Sequence, residues 1–558
     1  MEERIRKAVS AALQKLGAGD VSFVIERPSD AKYGDYSTNA ALAAAKALGK
    51  DPRELADSLA RLLIDDLGSS VASHVAVAGP GFVNITLARE TVTFAIAEAD
   101  AKGSEWGSGN ENAKKSVMVE YTDPNPFKEM HIGHLMSNII GEAIARLIEN
   151  ESAKIIRVNY QGDVGPHVAK ALWGLKKAGI TDPETAKEIG EAYAEGSRAY
   201  EESPEVKEEI DTINKALYTG DDRVLMELWS KGRAVSLEAF EQLYKILGTH
   251  FDYYFFESET AESGLRIVRD GIKQGVFERS ENAIIYNGEK KSLPAGRQGL
   301  HTLVFITSAG TPTYEAKDIG LAFLKEERAK SDRSLIVTAS EQIGHFKIML
   351  AALGELAPLL AQKTEHVSHG FLRLTSGKMS SREGNVITAS QLIEDVIKKA
   401  NEKNADSLIA EQVALGAIKY MILRQSPGSD IIFDSVKSLS LDGDSGPYLQ
   451  YALVRAKSVL QKTTDDKKSA EDSPSEPYLI ERLILHFPEI ASRAARGLSP
   501  NLLTNYLTEL AGEWNSFYAK ERIVGGEYEE HKLMVARAFI NTMTNGLSLL
   551  GIPAPEKM

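Results

Sequence analysis

Apolar positions recur with a helical period near both ends of the chain, and short β-rich runs lie between them. In the first hundred residues the pattern predicts two helices, "MEERIRKAVSAALQKLG" and "YSTNAALAAAKALGK", the second with Ser37 or Thr38 as N-cap. It also predicts a strand-like run, "VSFVIERPSD", and a hairpin, "VAVAGPGFVNITL", that turns at Gly79-Pro80-Gly81. A small α/β unit is therefore expected, followed by a polar, glycine-rich linker at residues 102–115.

A strand, a helix and a strand follow the linker. The run "SVMVEY" at residues 116–121 is short and β-rich, and "AKIIRVNY" is a second such run. Between them, "HLMSNIIGEAIARLIEN" places apolar residues at four-residue spacing on one helix face. This order is typical of a βαβ unit, which begins a parallel, nucleotide-type sheet.

The remaining pattern predicts an interrupted sheet and a helical end. Residues ~170–260 are charged and helical and predict an insertion between two halves of the sheet. Further strands are predicted at 302–308, 334–340 and 366–374, with a helix "DIGLAFLKEERAK" between the first two. From residue ~397 the pattern is helical, apart from the loop "TTDDKKSAEDSPSEP". We expect domains at 1–110, 116–396 and 397–558, the second with its helical insertion at about 170–260.

Composition narrows the function classes. The 558 residues contain no cysteine, which excludes disulfides, thiolate metal sites and cysteine nucleophiles. The net charge of −14 argues against a protein that binds nucleic acid over its whole surface, but not against one with basic groups on a single face. The apolar runs fall short of the ~18 residues of a membrane span. The N-terminus lacks the apolar core of a secretory signal, so we expect a cytoplasmic protein.

The stretch "PNPFKEMHIGH", residues 124–134, carries the first candidate chemistry. It lies between a predicted buried strand and an amphipathic helix, where open α/β sheets bind ligands. The N–H groups at the start of that helix favour a phosphate, and Gly133 lets a ligand approach the backbone. His131 and His134 can each donate a hydrogen bond to phosphate oxygens, and Lys128 adds a positive charge. The arrangement indicates a nucleoside triphosphate site.

Chance and a metal site are the alternatives to this interpretation. With 11 His and 44 Gly in the chain, His-x-Gly-His is expected by accident about 0.02 times. Histidines at this spacing on a helix can chelate a metal ion, but no third ligand is obvious nearby. We therefore expect no bound structural metal.

A second glycine-framed segment, "SGKMSSREGNVI", covers residues 376–387 after a predicted strand. Lys378 and Arg382 lie in a Ser/Gly-rich loop that can close over a triphosphate and neutralise charge on departing pyrophosphate. By itself such a loop is more often a simple surface turn. Together with the upstream histidine motif it is much more informative.

The two segments resemble the HIGH and KMSKS signatures of class I aminoacyl-tRNA synthetases. Nearly the whole chain is similar to the arginyl-tRNA synthetases within that class. "KYGDYSTNAA" and "GPGFVNI" resemble their N-terminal domain that recognises the tRNA elbow, and "VEYTDPNPFKEMHIGHL" with "IRVNYQGDVG" their active-site core. "GTPTYEAKDIG" and "SEQIGHF" are similar to their substrate-binding segments, and "SGPYLQYALVRAKSVL" with "LGIPAPEKM" to their anticodon-binding domain.

The resemblance implies a Rossmann-type catalytic domain and a two-step reaction. Arginine attacks the α-phosphorus of ATP to give arginyl-adenylate and pyrophosphate, and the terminal adenosine of tRNA(Arg) then accepts the arginyl group. Such displacements depend on alignment and charge neutralisation, with Mg²⁺ accompanying ATP. The resemblance assigns catalysis to His131, His134, Lys128 and Lys378, and ATP binding to His131, Gly133, His134, Lys378, Met379, Ser380 and Arg382.

Binding residues for arginine and tRNA also follow from the resemblance. Selective binding of a guanidinium requires a carboxylate. The matching positions for arginine are Glu120, Asn125, Tyr314, Asp318 and Gln342, with Asp318 as the main guanidinium partner, although an aspartate there can also cap a helix. Those for tRNA are Phe82, Asn84, Tyr448, Tyr451 and Met558, although Phe82 and the two tyrosines can also be core residues. We expect a monomer.

Two positions depart from the family pattern, and three other functions stay open. Asp123 stands where serine is more frequent, and Ser381 replaces the second lysine of the KMSKS signature. The other functions are a different adenylyl transferase, a class I synthetase for another amino acid, and a non-enzymatic tRNA-binding paralogue.

Overall fold

The fold is taken from a computed structural model of the chain. It describes residues 1–28, 30–291, 300–374, 387–402, 404–462 and 473–558. In that part of the chain, no helix is both long and apolar enough to cross a bilayer.

The N-terminal unit is an antiparallel sheet covered by helices. Its elements are α1 (Glu2–Lys15), β1 (Ile25–Glu26), β2 (Tyr36–Thr38), α2 (Ala40–Leu48), α3 (Pro52–Leu67), β3 (Ala72–Ala78), β4 (Phe82–Leu87) and α4 (Arg89–Lys102). The sheet order is β1-β2-β4-β3, and the predicted hairpin is the β3–β4 pair. The predicted strand-like run is reduced to the two residues of β1, before the chain turns.

The predicted N-cap of α2 is wrong. Ser37 and Thr38 belong to β2, where Ser37 pairs with Asn84 of β4, and Asn39 is the N-cap. Pairing with the central strand β4 satisfies the backbone of both residues, so the helix starts later. The Thr38 hydroxyl still accepts a hydrogen bond from Ala40 N at 3.2 Å.

The glycine-rich segment after α4 is packed against the C-terminal helices. Trp106 is buried, and its indole N–H donates to the Thr542 hydroxyl at 3.1 Å. The Asn545 amide donates to the carbonyls of Gly103 and Trp106. The segment is therefore fixed to a neighbouring helix along this part of its length.

A five-stranded parallel sheet forms the centre of the molecule, in the order β12-β11-β5-β6-β7. The elements of this region are β5 (Ser116–Glu120), α5 (Ile132–Asn150), β6 (Lys154–Gln161), α6 (Pro166–Lys177), α7 (Ala186–Glu202), α8 (Pro204–Thr219), α9 (Arg223–Leu247), β7 (Tyr253–Phe256), α10 (Glu257–Lys273), β8 (Glu278–Ser280), β9 (Ala283–Tyr286), β10 (Leu303–Ile306), α11 (Tyr314–Arg328), β11 (Arg333–Ala339), α12 (Ile343–Leu356), α13 (Pro358–Lys363) and β12 (Thr364–His369). The predicted fold class, with a parallel sheet between an α/β unit and a helical unit, is confirmed.

Two strand predictions need correction, and one strand was missed. The segment 302–308 does contain β10, but this strand pairs antiparallel with β9 in a separate sheet, β10-β9-β8. The segment 366–374 divides into β12 and a further strand, β13 (Leu372–Leu374). The edge strand β7 was not predicted, because it is short and follows four helices.

The chain ends in a helical unit. Its elements are α14 (Ala389–Asn401), α15 (Ser407–Leu423), β14 (Ile431–Phe433), α16 (Ser435–Ser438), α17 (Gly446–Leu460), α18 (Leu479–Leu485), α19 (Phe487–Arg496), α20 (Pro500–Lys520) and α21 (Glu529–Leu549). One apolar core runs from the sheet through α5 into α15, α17, α20 and α21. Helix α5 is thus buried between sheet and helical unit, which holds its N-terminus firmly at the edge of the sheet.

Candidate active site

The candidate site lies where the strand order reverses. From β5 the chain continues to β6 on one side of the sheet, whereas β11 flanks β5 on the other side. The segments after β5 and β11 therefore diverge at the carboxyl edge and open a crevice, the usual ligand position in open α/β sheets. The histidine motif follows β5, and Gln342 follows β11.

His131 and His134 form a reciprocal cap at the start of α5. His131 is the N-cap residue, and its Nδ1 accepts from Gly133 N at 3.0 Å. Nδ1 of His134 accepts from His131 N at 3.3 Å. A neutral imidazole that accepts at Nδ1 carries its proton on Nε2, so both rings retain an Nε2–H donor. A Cβ on Gly133 would lie 2.8 Å from Cε1 of His131, so glycine is required for this cap.

Burial and charge keep both imidazoles neutral. Burial lowers the pKa of His131, and the Lys128 ammonium lowers it further. Burial lowers the pKa of His134 more strongly, with additional contributions from His131 and Lys128. At neutral pH the two rings are therefore hydrogen-bond donors without charge, and the fixed positive charge on this side of the site belongs to Lys128.

The segment between β5 and α5 is held in an uncommon backbone conformation. Thr122, Asp123 and Phe127 have φ of 80°, 47° and 69°, although none is glycine. Such conformations cost free energy and occur mostly at functional sites. Each is hydrogen-bonded to a different element: Thr122 N donates to Ser137 Oγ, Tyr160 N donates to Asp123 Oδ1, and Phe127 N donates to Ser236 Oγ, at 3.0, 2.9 and 3.0 Å.

Lys128 reaches from this segment toward the helical insertion. Its ammonium lies 4.6 Å from the centroid of the Tyr193 ring on α7. Burial raises the pKa of the Tyr193 phenol, but Lys128, Ser197 and Lys170 together lower it, so that the net shift is downward. Lys128 is thus held at Tyr193 by its contact with the ring and by a hydrogen-bond interaction with the phenol.

The residues predicted to bind arginine surround a strongly charged pocket. Tyr314 and Asp318 lie on the first turns of α11, with Tyr314 exposed, and Gln342 is the exposed N-cap of α12. Glu120, at the end of β5, is buried and accepts a hydrogen bond from buried Lys325 at 2.7 Å. Burial raises the pKa of Glu120, and Lys325 lowers it. The negative charge of Asp318 also raises it, so the carboxylates of Glu120 and Asp318 lie close together.

Asn125 lies close to Gly162, as does Glu257. A Cβ on Gly162 would lie 2.3 Å from Asn125 Oδ1 and 3.1 Å from Glu257 Oε1, so glycine leaves room for both groups. Glu257 is buried and accepts from Lys317 Nζ at 2.5 Å. Burial raises the pKa of Glu257, whereas Lys317 lowers it.

Several pocket residues were missed by the sequence analysis: Asp163, Glu257, Lys317, Lys325 and His345. Glu257 directly follows β7, so the β-rich run at residues 251–256 was the signal that could have identified it. Lys317 and Lys325 give no local signal, because their importance comes from partners 60 and 205 residues away.

The second signature segment lies largely outside the described residues. This applies to Lys378, Met379, Ser380, Ser381 and Arg382, so their roles stay predictions. The next described residues contact the histidine motif: Thr388 forms a β-bridge with His131, and Ala389 N donates to Met130 O at 2.7 Å.

The residues predicted to contact tRNA lie in the N-terminal unit and in the C-terminal helical unit. Phe82 and Asn84 lie on the outward face of β4, both half-buried, while Val83 and Ile85 point into the core. The Asn84 carbonyl accepts from the Ser37 hydroxyl at 2.8 Å, which leaves its amide N–H₂ to donate. On α17, Tyr448 is half-buried and Tyr451 is 40% exposed, and Met558 is half-buried at the chain end.

Comparison with protein families covers most of the chain. Residues 97–435 match the family model "tRNA synthetases class I (R), catalytic domain". Residues 449–558 match "DALR anticodon binding domain", and residues 3–87 match "Arginyl tRNA synthetase N terminal domain".

Individual relatives extend the similarity over the full length. The chain is 31% identical to an arginine–tRNA ligase from Treponema pallidum, covering 100% of this chain and 99% of the relative. It is 29% identical to one from Flavobacterium psychrophilum, covering 91% and 90%. Among solved structures it is similar to the Thermus thermophilus arginyl-tRNA synthetase, with 27% identity, a TM-score of 0.82 and 100% coverage of both chains.

Proposed function

Because the chain belongs to the arginyl-tRNA synthetase family, we propose how its described residues carry out each part of the family's reaction. The chain is an arginine–tRNA ligase of class I. It activates L-arginine with ATP to arginyl-adenylate and pyrophosphate, and transfers the arginyl group to the terminal adenosine of tRNA(Arg).

The observation that carries the proposed catalytic mechanism is the paired histidine cap at the start of α5. Two Nε2–H donors and the N-terminal end of a helix face the crevice. Preorganised donors of this kind stabilise charge that develops in the transition state. His131 and His134 would therefore hold the phosphates during attack by the arginine carboxylate, while Lys128 and Lys378 would neutralise the departing pyrophosphate.

Mg²⁺ would accompany ATP in this site. Among the described residues, no group of three or more His, Asp or Glu side chains is arranged to hold a metal ion. Mg²⁺ is commonly bound through substrate phosphates and water with one or two carboxylates. We therefore assign most of its ligands to the triphosphate.

The charged pocket would bind the arginine side chain. Asp318 is only partly exposed and would accept from the guanidinium, with Tyr314 and Gln342 beside it. Glu120 would contribute to arginine binding less directly, because its carboxylate is already paired with the Lys325 ammonium. Asn125 would contact the amino or carboxylate end of the substrate, because it lies beside the histidine motif.

For tRNA, the outward face of β4 would contact the elbow, and α17 with the chain end would contact the anticodon. We propose that the enzyme acts as a monomer. A tRNA substrate also suits a cytoplasmic enzyme.

Exchange of pyrophosphate into ATP, measured with each standard amino acid and with tRNA, tests this function. With tRNA present, we expect exchange with arginine and with no other standard amino acid. We expect His134→Asn to lose this exchange. Exchange that depends on another amino acid would indicate a different class I synthetase. Binding of tRNA without any exchange would indicate a non-enzymatic paralogue.

A further inference from the structure

His345 connects the two helices that carry the predicted arginine-binding residues. It is the third residue of α12, and its Nε2 lies 2.5 Å from Asp318 Oδ2 on α11. Its Nδ1 lies 3.4 Å from Glu315 Oε1, one turn earlier on α11. Ionised carboxylates only accept hydrogen bonds, so a ring held by both carries a proton on each nitrogen.

The charge on this imidazole is maintained against its surroundings. The first turn of a helix disfavours a cation, because the helix dipole is positive there. Burial also lowers the pKa of His345, but the contacts with Asp318 and Glu315 outweigh it and raise the pKa to about 10. The charge is therefore due to the two carboxylates.

Two further histidines, His366 and His301, lie near His345 or its helix. Burial and then the charge of His345 lower the pKa of His366, on β12, to about 4, so His366 is neutral. Its Nε2 is hydrogen-bonded to the Thr338 hydroxyl at 2.8 Å, and its ring stacks on Phe346. On the other side, His301 lies near Gly344, where a Cβ would be 3.7 Å from its Nε2.

This ion pair determines how Asp318 is presented to a ligand. Oδ2 of Asp318 is hydrogen-bonded to His345, whereas no donor among the described residues contacts Oδ1. The same contact joins α11 to the first turn of α12, whose N-cap is Gln342. The Asp318 carboxylate and the backbone at Gln342 are therefore held near each other, although α11 and α12 follow strands of different sheets.

We propose that His345 is a positioning residue for arginine: it holds Asp318 through Oδ2, so that Oδ1 receives the guanidinium at a fixed distance from Gln342. This inference rests on the proposed role of Asp318 in binding arginine. His345 itself does not contact the substrate. Without it, Asp318 would rotate freely among the other acidic groups of the pocket, and arginine would have to order it on binding.

Steady-state pyrophosphate exchange with two variants tests the proposal. For His345→Ala we expect KM for arginine to rise by ~10²-fold, with KM for ATP unchanged and kcat within about threefold, because uniform binding is lost. For His345→Gln, which keeps one N–H donor in the place of Nε2, we expect KM for arginine within about tenfold of the wild type. His366→Ala is the matched control, a neighbouring histidine without contact to Asp318, and should leave KM for arginine unchanged.

The combination with Asp318→Asn separates the possible failures. If His345 acts through Asp318, the double variant should bind arginine no more weakly than Asp318→Asn alone, since residues of one network are not additive. If the losses of arginine binding in the two single variants add up in the double variant, the proposal is overturned. It is also overturned if both His345→Gln and His345→Ala have a normal KM for arginine. A normal KM in Asp318→Asn itself would instead remove Asp318 from the proposed site. If His345→Ala fails to fold, His345→Gln decides alone. A fall in both its kcat and its melting temperature, with KM for arginine unchanged, would show a purely structural role and overturn the proposal.

Discussion

The imidazole rings of His131 and His134 are stacked, with centroids 3.7 Å apart and 24° between the ring planes. Each ring accepts a backbone N–H through Nδ1. The two rings therefore hold each other and the start of α5 in one arrangement, with both Nε2–H groups as donors.

Neutral imidazoles are the first prediction. Because burial and nearby positive charge lower the pKa of His131 and, more strongly, that of His134, each ring should become protonated only below the usual value of 6.5. ¹⁵N spectra of histidine-labelled enzyme at pH 6.5 should show both rings uncharged, with the proton on Nε2. The signals can be assigned from His131→Asn and His134→Asn. Half-protonation of either ring near pH 6.5 would contradict the structure.

The second prediction concerns Asp318→Asn. Removing the charge from a buried guanidinium partner should cost ~2–5 kcal/mol, or about 30- to 4000-fold in arginine activation. ATP should still bind with normal affinity, measured by equilibrium dialysis. Glu327→Gln is the control on the same helix, since Glu327 is exposed near the other end of α11. Near-normal arginine kinetics in Asp318→Asn would exclude the assigned role.

Lys128→Ala provides the third prediction. If Lys128 and Lys378 bind the triphosphate from opposite sides, the activation rate should fall by ~10²-fold or more with little change in arginine affinity. Ser381→Lys should partly restore the rate, because it supplies an ammonium that this chain lacks. The control is Lys170→Ala, whose ammonium lies 4.3 Å from the Tyr200 ring in the same insertion. Activation at nearly the wild-type rate would refute the role of Lys128.

The fourth prediction is that adenylate formation requires tRNA. The resemblance implies a site that is completed only when tRNA binds, a form of induced fit. Enzyme freed of RNA by nuclease treatment and ion exchange should give little pyrophosphate exchange until tRNA is restored. Rapid exchange by RNA-free enzyme would rule this out.

The fifth prediction concerns the outward face of β4. Phe82→Ala and Asn84→Ala should raise KM for tRNA without lowering the melting temperature by more than a few degrees, because both side chains are only half-buried. Val83→Ala is the comparison, since Val83 points into the core and its truncation should reduce stability. A large loss of stability in Phe82→Ala would show that Phe82 is instead a core residue.

The sequence by itself determined the features that depend on neighbours along the chain. The apolar spacing in α5, the turn at Gly79-Pro80-Gly81 and the position of His131 and His134 at a helix start follow from local periodicity and turn chemistry. The family signatures predicted the enzyme class, which the comparisons confirmed.

Only the tertiary structure decided which distant residues meet. It placed β10 in an antiparallel sheet, paired Ser37 with β4 instead of leaving it to cap α2, and brought β7 to the edge of the parallel sheet. It also placed Lys325 beside Glu120, 205 residues away. A buried charge is stable only beside a partner of opposite charge, and packing of elements distant in the chain decides which residue that partner is.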